Sequence, residues 1–184
     1  MAQKEKLNRW KGLTVGLVGG LAGVYTMRYY WKYIAPELFP EQADWKANPA
    51  SESSNAISLV GQHYEAGEPA TAALGRRVYE VITGQEPQSA EMKRLLADLT
   101  HWGWGVVAGG LYGGTRTRTY PRDIAGGFFY GIRLWLGDEL LAALMGMRAE
   151  PTAFPFRQHL WRLSGHWVYS FVTANVTRIL YRLF

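Results

Sequence analysis

GLTVGLVGGLAGVYTM, residues 12–27, carries no charged side chain, and its surroundings give it a direction. Lys4, Lys6, Arg9 and Lys11 precede it, and Arg28, Tyr29, Tyr30, Trp31 and Lys32 follow. A basic start and an apolar run resemble a signal peptide, but no small-residue cleavage site leads into a hydrophilic mature start. The following cluster is instead the mix of basic and aromatic side chains that anchors a helix at a lipid–water interface. This reading predicts a retained span over about residues 11–33. Gly12, Gly16, Gly19, Gly20 and Gly23 recur at three- and four-residue steps, which puts them on one helix stripe open to another helix's backbone.

Composition points the same way. The chain has 184 residues, enough for one domain, and contains 8 Trp, 11 Tyr and 21 Gly. Trp and Tyr concentrate at bilayer interfaces and Gly permits close helix contact within them. Mean hydropathy is −0.15, an average over apolar ends and a polar middle. The absence of cysteine excludes disulfides, thiolate metal sites and a Cys nucleophile.

Further along, residues 35–70 are rich in Pro, Ser, Ala and acids and show no sustained period, the pattern of a long loop. Helical signals return in TAALGRRVYEVITG and in SAEMKRLLADL, where Ser89 opens a cap-like pattern, so one or two amphipathic surface helices are expected within 34–98. Three more apolar runs predict spans at 99–116, 124–147 and 159–182; the second includes Gly109 and Gly113 at packing spacing. The expected fold is therefore all-α: a single membrane domain over 1–184, an integral four-helix bundle with an extramembrane loop and surface helices. Four spans place both termini on one side. Lys4 to Lys11, Arg116 to Arg122, and Arg178 with Arg182 then share the cytoplasmic face of a bacterial inner membrane. Residues 34–100 carry ten acids against five bases, so the net charge of +5 follows topology and requires no nucleic acid partner.

In GDELLAALMGM, residues 137–147, Asp138 and Glu139 sit about 12 Å from the helix end at the α-helical rise. His166 follows His159 by seven residues, roughly 10 Å along the next helix, and Arg162 lies one turn from His166 on the same face. His101 opens the second run. Asp138, Glu139, His101, His159, Arg162 and His166 therefore form a candidate ion or ion-pair cluster. One reading is structural, with Asp138 or Glu139 paired to Arg162 or Arg133. A second is a proton or ion site, since buried carboxylates and imidazoles titrate near neutrality when paired. A third is a metal site, for which a seven-residue His interval is no ligand signature, so no metal is assigned. No nucleophile elbow, phosphate loop or zinc-protease motif occurs, and no catalytic residue or cofactor is assigned. His63 reads as a solvated side chain.

From His101 onward the chain resembles the YagU-like family of bacterial inner-membrane proteins with several spans. The resemblance rests on GGLYGGT, GGFFYGIRLWLGDELLAALMGM and PTAFPFRQHLWRLSGHWVY, with Trp135, Asp138, Glu139, Gly146, Pro151, Pro155, His159 and His166 at the matching positions. Ala142 and Ala143 stand where a proline is expected after the acids. The resemblance implies an inner-membrane location and a four-helix arrangement, with no substrate attached.

The functional expectation is a non-enzymatic structural or accessory subunit of a larger membrane complex, packing against partner helices, lipids or pigments. The faces of Tyr25, Tyr29, Tyr30, Trp102, Trp104, Phe128 and Phe129 would meet those partners. The rival is a small proton- or ion-linked transporter using the acid and histidine cluster.

Overall fold

The computed structural model describes residues 8–45, 48, 57–116 and 124–184, and among them the secondary structure is entirely helical. Five long helices carry the fold: α1 (Arg9–Tyr29), α3 (Ala70–Thr83), α4 (Ala90–Thr115), α5 (Ile124–Leu144) and α6 (Phe156–Leu183), with a four-residue turn, α2 (Ala35–Leu38), between the first two. Asn8 caps α1, its side-chain oxygen accepting from the amides of Trp10 and Lys11. Beyond Tyr29 the helix widens into a π turn, Tyr30–Ile34, in which the Ala35 amide reaches back to the Tyr30 carbonyl. Pro36 has no amide hydrogen to continue the four-residue ladder. Gly84 ends α3 in the left-handed conformation, and Ser89 opens α4 by accepting from the Met92 amide.

The expected four-span bundle is overturned, because no helix among the described residues is long and apolar enough to cross a membrane. Length is present without the apolarity. The uncharged run of α1 is only 16 residues long between Lys11 and Arg28, and half of it is glycine, threonine and tyrosine, which contribute little transfer free energy beside Leu, Ile, Phe or Val. The expected second span is only the latter part of α4, a helix that starts at Ala90 with charged turns and is unbroken at 99. Within α5 lie Arg133, Asp138 and Glu139, and α6 carries His159, Arg162, His166, Arg178 and Arg182. With the spans go the inner-membrane location, the shared cytoplasmic termini, the four-helix arrangement implied by the family resemblance, and the accessory-subunit and transporter functions built on them. Lys4, Lys6, Arg118 and Arg122, which the charge pattern grouped on one side, lie outside the described residues.

The chain divides into two compact units, unit 1 from 1–37, 104–133 and 163–184, and unit 2 from 38–103 and 134–162. In unit 1 the glycine stripe of α1 meets glycines of α4. A Cβ built on Gly12 would strike the Gly113 carbonyl, one on Gly16 the Gly109 carbonyl, and one on Gly20 the Gly105 carbonyl. Rising numbers on α1 meet falling numbers on α4, so the two run antiparallel with one contact per turn. Gly19 and Gly23 face Thr177 and Thr173 of α6, and Gly127 and Gly131 of α5 face Phe171 and Trp167 of α6. The glycines expected to receive partner helices are thus occupied by the chain's own backbone. Tyr169 fills the adjoining interior and donates to the Gly105 carbonyl at 2.5 Å. Burial pushes the Tyr169 and Tyr130 hydroxyls above the ordinary phenol range, with further contributions for Tyr130 from Tyr169 and Tyr112.

Unit 2 is assembled around polar groups. Among the described residues its apolar core is formed by Tyr64, Ala73, Met147, Ala149 and Phe154. The segment after Ile57 lies along the end of α5, with the Leu59 amide on the Leu144 carbonyl at 2.9 Å and the His63 amide on the Gly146 carbonyl at 2.7 Å. Arg76 of α3 then ties that segment down, donating to the His63 carbonyl, to Glu68 at 2.9 Å and to Glu80 at 2.9 Å. The hydrogen bond to Glu68 leads the effects that raise the Arg76 pKa above its ordinary value. For Glu80, burial acts to raise the carboxyl pKa but is outweighed by Arg76 and Arg77, which hold it below the usual carboxylate range.

Candidate functional site

Three stretches of unit 2 converge on Glu139. Helix α5 carries Asp138 and Glu139 and stops at Gly146, whose φ of 68° is a backbone conformation that suits glycine. The Met147 amide bonds back to the Ala142 carbonyl and the Gly146 amide to that of Ala143, closing the helix and turning the chain around. That reversal returns Arg148 to the acids. Pro155 then precedes α6, whose first turns bring in His159 and Arg162.

Glu139 is 2% exposed, Arg148 3% and Arg162 7%. One Glu139 oxygen, Oε1, receives Arg148 Nη2 at 3.1 Å and Arg162 Nη1 at 3.2 Å. The other, Oε2, stands 3.1 Å from His159 Nδ1. Asp138, at the partly exposed rim, takes Arg148 Nη1 at 2.9 Å. Both guanidiniums lie over the Phe154 ring, Arg162 at 4.1 Å and Arg148 at 4.7 Å from its centroid. Such placement lets a weakly hydrated cation keep an attractive partner away from water. His159 completes the cluster: Nε2 is 3.0 Å from the Pro151 carbonyl, and the ring meets Trp135 and Phe154 edge-on. Two guanidinium groups, Arg148 and Arg162, thus face two carboxylates.

Of the residues expected to cluster, Asp138, Glu139, His159 and Arg162 lie together. His101 sits in the part of α4 that belongs to unit 2, and Arg133 and His166 fall in unit 1, His166 beside Gly131. Seven-residue spacing puts His166 roughly 10 Å beyond His159 along the helix, and the boundary between the units falls between them. Arg148 and Phe154 are absent from the sequence-based set. The available signal was Gly146: a left-handed stop just beyond the acids folds the next base back toward them.

Asn48 is a further unanticipated member, fully buried. Its Oδ1 accepts from the Ala149 amide at 3.0 Å, its Nδ2 donates to the Glu68 carbonyl at 2.5 Å, and its own carbonyl accepts from Gly67 at 3.0 Å. His63, read as solvated, is half-buried. Among the described residues no group of three or more His, Asp or Glu side chains is placed to hold a metal.

Comparison of the chain with family models, with curated proteins and with solved structures finds no match.

Proposed function

We propose that this chain is a non-catalytic binding protein whose working surface is the outer side of unit 1 and whose partner is a lipid surface. One observation carries the reading: with the glycines turned inward, the large apolar and aromatic side chains of the same helices stand outward. On α1, Val18, Leu21, Tyr25 and Tyr29 follow at three- and four-residue steps and are all exposed, Tyr25 by 68%. On α4, Trp104, Val107 and Leu111 do the same. Phe129 of α5 is 58% exposed and Trp10, at the start of α1, 79%. An exposed apolar face of this extent marks an interaction surface.

The polar neighbours favour lipid as the partner. Arg28 and Lys32 are exposed beside Tyr29 and Tyr33, and Lys32 Nζ lies 5.0 Å from the Tyr33 ring centroid. Long basic side chains and tyrosines suit a boundary where one end of the side chain is apolar and the other wet. Contact of this kind proceeds along the sides of helices and requires none of them to cross a bilayer. Within the expected set, Tyr30 is buried and Trp102 half-buried, leaving Tyr25, Tyr29, Trp104, Phe128 and Phe129 outward. A non-catalytic role is supported by the Glu139 cluster, whose opposite charges already engage one another.

The test is flotation of the purified full chain with phosphatidylcholine vesicles containing phosphatidylglycerol, read together with tryptophan emission. The chain is expected to float, its emission shifting to shorter wavelength, and Tyr25→Ser with Trp104→Ser to reduce flotation. A folded chain that stays at the bottom of the gradient with unchanged emission overturns the reading.

A further inference from the structure

The outward faces of α1 and α4 differ in how charge frames them. Thr14, Val18, Leu21 and Tyr25 follow one another along α1 at steps of three and four, and all are exposed. The same alternation continues at both ends. Lys11 stands three residues before Thr14, Arg28 three after Tyr25, and Lys32 four after that, so the bases share the face of the apolar run they enclose. Arg28 and Lys32 are exposed and Lys11 is half-buried. Lys11 and Arg28 are separated by about 26 Å at the helical rise. A base at each end rests on a phenol: Lys11 Nζ is 4.5 Å from the Tyr181 ring centroid, and Lys32 Nζ 5.0 Å from that of Tyr33. Helix α4 has no such frame. Arg116 follows its outward run of Trp104, Val107 and Leu111, but the nearest fixed charge before Trp104 is an acid, Asp98.

Charge also narrows the occupant. Among the described residues of unit 1, Glu37 is the one acidic side chain, and it comes five residues past Lys32. A second copy seated on this face by a two-fold axis would bring Lys11 against Arg28 and Lys32, like charge on like. A nucleic-acid backbone offers closely spaced phosphates, which an uncharged run between the bases does not match. An anionic bilayer surface meets both needs, with phosphates for the bases and an apolar layer for the side chains between them.

We propose that the α1 face is the part of unit 1 that meets lipid, lying flat on an anionic leaflet. Lys11 at one end and Arg28 with Lys32 at the other hold headgroup phosphates, while Val18, Leu21 and Tyr25 enter the boundary below them. The long basic stems let the charges stay at headgroup level as the apolar run sinks. This inference rests on the lipid reading above and adds which face is used, how it lies and which headgroup charge it selects.

The experiment is flotation of the full chain with vesicles of phosphatidylcholine alone and of phosphatidylcholine with phosphatidylglycerol. Each is run at low salt and at about 1 M, where the screening length falls to about 3 Å. Binding is expected to be stronger on the anionic vesicles and to fall toward the neutral level in high salt. Lys11→Gln, and Arg28→Gln with Lys32→Gln, are each expected to weaken anionic binding by about fivefold for every base removed. Lys93→Gln with Arg94→Gln removes two bases from unit 2 and is expected to leave binding unchanged. Tyr25→Ser is expected to weaken it and Trp104→Ser to spare it.

Flotation on neither vesicle overturns the lipid reading and this inference together. Equal flotation on both, unmoved by salt, overturns this inference alone. So does a loss confined to one end of α1, the mark of end-on contact, or an equal loss from the unit 2 pair or from Trp104→Ser. Displacement from anionic vesicles by duplex DNA overturns it in favour of a general polyanion surface. Should a variant unfold, the wild-type comparison of two vesicles at two salt levels decides.

Discussion

The two units reach an ordered interior by opposite chemical means. Unit 1 removes side chains until backbones touch: Gly12, Gly16 and Gly20 against Gly113, Gly109 and Gly105. Unit 2 buries charge and pairs it: Glu139 among Arg148, Arg162 and His159, Arg76 among Glu68 and Glu80, and Asn48 bridging three segments. The first device tolerates no added atom; the second tolerates no missing partner. They should therefore fail under opposite kinds of substitution, one by insertion and the other by deletion.

The largest effect should come from deletion in unit 2. Glu139→Ala removes the carboxylate that two buried guanidiniums share and is expected to lower stability by about 3–5 kcal/mol, read by urea unfolding. An unchanged midpoint would mean that the network contributes nothing. Insertion in unit 1 comes next: Gly109→Val drives a branched side chain into the Gly16 and Gly20 backbone, at an expected cost of about 3 kcal/mol in the same assay. A milder probe of unit 1 is Tyr169→Phe, which removes the hydroxyl bonded to the Gly105 carbonyl and should lower stability by about 1 kcal/mol. The smallest effect has the reverse sign. A Cβ on Gly103, inside α4, meets nothing within 4 Å, so Gly103→Ala should raise stability by about 0.5–1 kcal/mol through helix propensity alone. A loss there instead would show that α4's glycines serve something other than contact.

How far the sequence carried each unit follows from the range of the interactions. Glycine spacing is local, so the stripe on α1 was visible in the letters, as was the helical character of each apolar run. The letters did not reveal what the stripe faced, because a lipid-embedded helix pair and a helix pair within one chain need the same small residues at the same steps. Aromatic and glycine-rich runs also look apolar while lacking the transfer free energy of aliphatic ones, and this misdirected the reading of α1 and α4. In unit 2, Asp138 and Glu139 stood out as acids in an apolar helix, and His159 and Arg162 through their spacing of seven and four residues from His166. Arg148 depended on the chain reversing at Gly146, and Asn48 on contacts with Glu68 and Ala149, distant in sequence. Periodicity cannot supply such partners, because they are set by a turn and by tertiary packing.

The antiparallel glycine contacts of α1 and α4 recur every fourth residue, so the interface is nearly its own copy one turn along. Sliding α1 by four residues, about 6 Å, would bring Gly12 opposite Gly109 and Gly16 opposite Gly105, again glycine on glycine, while Gly20 would lose its glycine partner. Two of the three glycine contacts of this vernier therefore survive the slide, so the stripe itself separates the two settings by a single contact. The choice is made through α6, a common ruler: the Tyr181 hydroxyl takes the Asn8 amide at 2.6 Å at one end, and the Tyr169 hydroxyl takes the Gly105 carbonyl farther along. Two phenols on a third helix thus index the slide of the other two, and each must keep its oxygen for the alignment to stay unique.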